Sequence, residues 1–153
     1  MPKGHAETAN GLAGVWRLIS SEFRMSDGKV IYPLGDDALG QVIFSETGYM
    51  SAQLMRQGRP KFASGDQASG TVQEVTAAFQ GYVAYYGSCR VDAKEKTLTT
   101  DVEGSLYPNW VGSKQVRFYE LNDRTLVLKT PPIPFGEGEI TGVLTWEREP
   151  GSC

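Results

Sequence analysis

The sequence predicts an all-β protein, a closed antiparallel barrel of about eight strands with one covering α-helix. Three observations predict it. Short β-rich segments follow one another with links of mostly hairpin length, a pattern that needs no long crossovers. Eighteen glycines and eight prolines in 153 residues supply the turns such a chain requires. Gly14-Val15-Trp16 opens the first strand and Trp146-Glu147-Arg148 closes the last. An indole at one end of the chain and a guanidinium at the other can stack only if the sheet closes on itself.

The elements follow in order. Gly14 to Met25 reads as a strand, Ser26-Asp27-Gly28 as a turn, and Lys29 to Tyr32 as a brief strand ended by Pro33-Leu34-Gly35-Asp36-Asp37. Leu39 to Ser45 and Tyr49 to Arg56 flank Glu46-Thr47-Gly48, with Gly at the left-handed position of a three-residue hairpin loop. Arg59 to Gly70 reads as loop. Thr71 and Glu74 form a capping box, and Val75, Phe79, Tyr82, Val83 and Tyr86 recur at helical spacing, which predicts a helix from Thr71 to about Tyr86. Strands then return over Gly87 to Asp92, Lys96 to Gly104, Ser113 to Leu121, Arg124 to Thr130 and Glu139 to Arg148, with turns at Asp92-Ala93-Lys94-Glu95 and Asn122-Asp123.

A chain of this length fits one domain that buries roughly two-thirds of its unfolded surface, so neither disulfide nor metal is needed for stability. The barrel domain is expected over residues 12–149, between a flexible segment 1–11 and a tail 150–153. A net charge of −3 with scattered Lys and Arg argues against nucleic acid and anionic membrane as partners. There is no run of 18 apolar residues, and the first 13 residues lack the apolar core of a signal peptide, which points to a cytoplasmic protein. Cys89 and Cys153 read as free thiols. Nothing in the sequence sets the oligomeric state.

The one histidine, His5, sits in the N-terminal segment, which disfavours Ser-His-Asp, Cys-His and His-ligated metal chemistry. Neither a phosphate-cradling nor a dinucleotide glycine motif is present; Gly136-Glu137-Gly138 leads into a strand. No cofactor and no metal is therefore expected, and the partner class is a hydrophobic small molecule.

Gly14-Val15-Trp16 with Arg148 resembles the calycin signature. The stretches Tyr49-Met50-Ser51-Ala52-Gln53-Leu54-Met55-Arg56, Phe62-Ala63-Ser64-Gly65-Asp66 and Val102-Glu103-Gly104-Ser105-Leu106-Tyr107-Pro108-Asn109-Trp110-Val111-Gly112 are similar to the lipocalin-like domain family of bacteria and fungi. The resemblance runs from about Leu12 to Glu149 and implies an intracellular lipocalin-like (calycin) barrel. It also implies a role in specialised metabolism, since some related barrels act as cyclases or isomerases on polyketide or terpenoid intermediates. One departure stands out: Thr100-Asp101 occupies the place where relatives often carry paired histidines.

If Trp16 faces inward, strict alternation sends Leu18, Ser20, Glu22 and Arg24 inward as well. Glu22 in an apolar cup would be a general acid or base near neutral pH. The alternative is that a bulge leaves it at the rim, paired with a surface Arg or Lys. Glu103 reads as an outward residue paired with Arg117 or Lys114, because Leu98, Thr100, Val102 and Gly104 form the more apolar face. On the Tyr49 strand either Tyr49, Ser51, Gln53 and Met55 or Met50, Ala52, Leu54 and Arg56 can line the barrel; the first set can hold a carbonyl or hydroxyl and the second packs. The catalytic candidates are thus Glu22, Tyr49 and Gln53. Ser20, Met50, Leu54, Thr100, Val102 and Phe118 are candidates for substrate contact, joined by Asn109 and Trp110 in a lid-prone loop. The preferred reading is a cofactor-independent cyclase or isomerase of a hydrophobic polyketide- or terpenoid-like intermediate. The alternative is a non-catalytic binder or carrier, and a barrel filled by its own side chains is a third.

Overall fold

A computed structural model describes residues 11–151. In chain order the elements are β1 (Gly14–Met25), β2 (Val30–Ile31), β3 (Leu39–Phe44), β4 (Tyr49–Met55), α1 (Val72–Gln80), β5 (Tyr82–Asp92), β6 (Thr97–Ser105), a 3₁₀ turn (Pro108–Trp110), β7 (Lys114–Leu121), β8 (Thr125–Lys129), β9 (Ile133–Phe135) and β10 (Gly138–Arg148). Each long strand pairs antiparallel with its neighbours, and β1 pairs with both β3 and β10. Closure leaves eight strands in the ring, while β2 and β9 add short flaps to β1 and β10. The closed antiparallel barrel with one helix is the architecture the sequence predicts. His5 and Cys153 lie outside the described residues.

The two ends of the barrel differ. At one end the links are tight: residues 45–48, 93–96 and 122–124. Gly48 takes φ +87° there, the left-handed conformation expected of it. At the other end β2, α1, the 3₁₀ turn and β9 are inserted between ring strands, so that end is a built rim.

Trp16 and Arg148 plug the tight end. They are direct register partners across β1 and β10, and the guanidinium carbon lies 4.2 Å from the indole centroid. Arg148 donates from Nη1 to the Ala13 carbonyl at 3.0 Å, from Nη2 to Gly11 at 2.7 Å and from Nε to Asp123 at 3.3 Å. Trp16 donates from Nε1 to the Leu12 carbonyl at 2.9 Å and is completely buried. The indole is therefore held from its edge by the backbone and from its face by the cation. Gly14 allows this approach: its φ is +127°, and a Cβ there would meet Arg148 Nη1 at 3.2 Å. Phe44, Leu98, Leu126 and Trp146 continue the core from the plug into the barrel.

The helix starts as the sequence requires. Thr71 Oγ1 accepts from the Glu74 amide at 3.1 Å, and Glu74 Oε1 accepts from the Thr71 amide at 2.8 Å. It ends earlier than expected, at Gln80, where the Gly81 amide donates to Ala77 O. The segment read as its last turn is the start of β5: Tyr82 pairs with Met55, and Val83 and Tyr85 turn to the core while Tyr86 is exposed. Tyr, Val, Ala, Tyr, Tyr fits both periods, and its aromatic and β-branched composition favours the strand once β4 offers a partner. No residue of α1 is buried, and the helix meets the rim through Gln80.

Candidate functional site

Between the core and the rim lies a cavity of about 300 Å³. Its wall is mostly apolar, with Leu54, Val83 and Leu128 on the sides and Phe23, Tyr85 and Trp110 toward the rim. Tyr85 and Trp110 meet edge to face at 5.2 Å, and Tyr107 meets Trp110 in the same manner at 5.9 Å.

One extra residue decides what β1 contributes. Leu18 pairs with Trp146 and Ser20 with Thr145, so Ile19 is an unpaired bulge and is half exposed. Before it Trp16 and Leu18 face inward; after it Ser21 and Phe23 reach the cavity. The alternation that would bring Ser20 and Glu22 inside is therefore inverted. Glu22 sits on the outer wall, its side chain 15% exposed, and accepts from the exposed Arg24 Nη2 at 3.2 Å, at the far side of the sheet from the cavity.

β4 resolves in favour of packing. Met50, Ala52 and Leu54 are buried and line the cavity, whereas Tyr49 is exposed and Gln53 accepts from the Tyr82 hydroxyl on the outside. All three residues expected to move protons thus lie outside the barrel. Thr100 and Val102 are buried in the interior without reaching the cavity wall, Asn109 is exposed beside Trp110, and Phe118 is exposed on the outer face opposite Lys129. Met50, Leu54 and Trp110 are the expected contact residues that the fold brings together.

Glu103 is exposed, as its alternation requires, but neither expected partner is its own. Lys114 Nζ pairs with Asp101 at 2.5 Å, and Arg90 pairs with the same carboxylate. The hydrogen bond from Lys114, then that from Arg90, holds the Asp101 carboxyl below its ordinary value. Arg117 turns the other way. It follows Tyr119, a buried residue two positions on, to the inner face, where it stands on the cavity wall. Nη1 donates to the Val116 carbonyl at 2.9 Å and Nη2 to Gln115 Oε1 at 3.3 Å. Trp146, also on the wall, carries a buried indole N–H without a hydrogen-bond partner.

The model of the lipocalin-like domain matches residues 13–149, nearly the whole described chain. The chain belongs to the lipocalin-like domain family. A characterised protein with a similar sequence is the 4'-hydroxy-3'-methoxypropiophenone carrier protein ppsC of Aspergillus oryzae. It is 35% identical over 108 residues, which cover 66% of this chain and 97% of that protein. No solved structure matches significantly. Among the described residues no helix is long and apolar enough to cross a membrane.

A lipocalin-like barrel of this form can enclose one small molecule, sealed by the plug below and bordered by aromatic rings at the rim. Sequence reasoning missed Arg117, Tyr85 and Trp146 as members of the wall. The signal for Arg117 was its two-residue spacing from Gln115 and Tyr119 on one face of β7. It was masked by the ready assumption that a strand Arg seeks a surface carboxylate.

Proposed function

We propose that this protein binds a small hydrophobic molecule in the barrel cavity and carries it unchanged. The observation that carries this reading is the wall: it is largely apolar, and its described residues include no carboxylate and no imidazole. General acid–base catalysis needs a group within hydrogen-bond reach of the proton it moves. Glu22, Tyr49 and Gln53 stand on the other side of the sheet. Likeness to a protein named as a carrier of an aryl ketone supports the same reading. A ligand that leaves about 250 Å² of apolar surface in the cavity gains roughly 6 kcal/mol from burial before the costs of association.

Trp110 and Trp146 on the wall make the test direct, because a ligand in the cavity changes their fluorescence. Titration with 4'-hydroxy-3'-methoxypropiophenone is expected to saturate at one molecule per chain, and the compound should be recovered unaltered. Filling the cavity by Ala52→Trp should abolish the signal. No saturable binding by this ketone or by simpler naphthalene derivatives would overturn the proposal. A product of different mass would replace carriage by cyclisation or isomerisation.

A further inference from the structure

We infer that the cavity takes a flat, conjugated ligand bearing an acidic oxygen, and that Arg117 is the residue that holds that oxygen. The inference rests on the reading of the cavity as the ligand site. Among the described residues Arg117 is the one charged side chain on the cavity wall. Arg17, Arg24, Arg90, Lys114 and Lys129 each face a carboxylate on the outer surface, and Arg148 lies on Trp16, but Arg117 belongs to no ion pair among the described residues.

The guanidinium is nonetheless held in place. Its bonds to Val116 O and Gln115 Oε1 engage two nitrogens, Gln115 Nε2 donates to Ser113 Oγ at 3.0 Å, and Ser113 Oγ donates to the Trp110 carbonyl at 2.6 Å. This relay ties the cation to the same turn that carries the Trp110 ring. A guanidinium has five N–H donors, so these two contacts leave donors for a ligand. A cation against apolar walls without a counter-ion is costly, and an anionic oxygen offsets that cost with charge-assisted hydrogen bonds. The unpartnered indole N–H of Trp146 is a second donor on the wall, so the site favours an acceptor. Phe23, Tyr85 and Trp110 supply ring faces and edges for a planar body.

Carboxylates, phenolates and enolates share this chemistry. The test titrates the wild-type protein with 2-naphthoic acid, methyl 2-naphthoate and 2-naphthol, following tryptophan fluorescence. The acid should bind at least about tenfold more tightly than its ester at neutral pH, a difference of roughly 1.4 kcal/mol. Arg117→Met should erase that preference while leaving the ester's affinity in place, and Arg117→Lys should keep part of it. Tighter naphthol binding as the pH rises through its ionisation would assign the oxygen to a phenolate; preference for naphthoate alone would assign it to a carboxylate. Equal binding of acid and ester by the wild type overturns the role of Arg117 whether or not the variants fold, and leaves the cavity as a binding site. Binding of none of the three overturns both.

Discussion

Replacing Arg148 by Ala removes the cation from Trp16 and three hydrogen bonds at once, to the carbonyls of Gly11, Ala13 and Asp123. The stacked cation contributes about 1 kcal/mol in a partly buried setting. The hydrogen bonds contribute about 0.5–1.5 kcal/mol each, less where water can replace the lost donor. Arg148 is only half-buried, so water reaches part of the vacated site and the loss falls near 2–4 kcal/mol. For a domain of this size that is a fall in Tm of roughly 5–15 °C. Arg148→Lys keeps a positive charge but lacks the planar fork, so it should recover less than half of the loss. Urea unfolding followed by tryptophan fluorescence measures both variants. A change under about 0.5 kcal/mol for Arg148→Ala would refute the reasoning, because it would mean that ring closure is maintained without the plug.

Other positions give sharper contrasts. Glu22→Gln removes an ion pair on the outer wall and not on the cavity wall, so ligand affinity should change by less than about twofold; a large loss of affinity would return Glu22 to the site. Gly87→Ala should destabilise by about 3 kcal/mol or more, since a Cβ there would stand 1.9 Å from the Asp101 carbonyl across the β5–β6 bulge, and a well-folded variant in thermal melts would contradict that geometry. Asp101 has a folded-state pKa below its ordinary 3.8, so its contribution is present above that value and is lost as the pH falls through the lower one. Asp101→Asn should therefore flatten the decline in Tm as the pH falls below about 4, and an unchanged acid profile would remove the Lys114–Asp101–Arg90 cluster from the balance.

Closure was legible because it depends on residue types that have few other reasons to occur together: a Trp two residues after a glycine in the first strand, and an Arg at the end of the last. The capping box was legible for the same reason, since Thr71 and Glu74 satisfy each other's backbone locally. The far end of α1 was not. Tyr82 to Tyr86 fits a helical face as well as a strand, and only the pairing with β4, distant in sequence, decides between them. The site suffered most. Ile19 carries no mark of a bulge, since Leu18-Ile19-Ser20 alternates acceptably in either register, yet its one-residue insertion exchanges Glu22 for Phe23 on the cavity wall.

The bulge also explains how one sheet serves two tasks. Below it, Trp16 and Leu18 lie in the solid core beneath the cavity, where every side chain is covered. Above it, the inward positions pass to Ser21 and Phe23, and β10 supplies Gly142 and Leu144 at the same level. Gly142 stands opposite Phe23 and Ser21 opposite Leu144, so each pair joins a small residue to a large one and leaves room that two large side chains would fill. The plug, Trp16 with Arg148, and the cavity therefore draw on different residues of the same two strands, β1 and β10. It follows that Arg148→Ala should lower stability while leaving ligand affinity within about twofold, as expected for distant sites without shared partners. Filling substitutions at Gly142 should do the reverse only if Thr130 yields, because a Cβ at Gly142 would meet Thr130 Cγ2 at 3.0 Å. The residue that closes the ring and the residues that leave space inside it can thus be varied separately, which is what the proposed internal binding site requires.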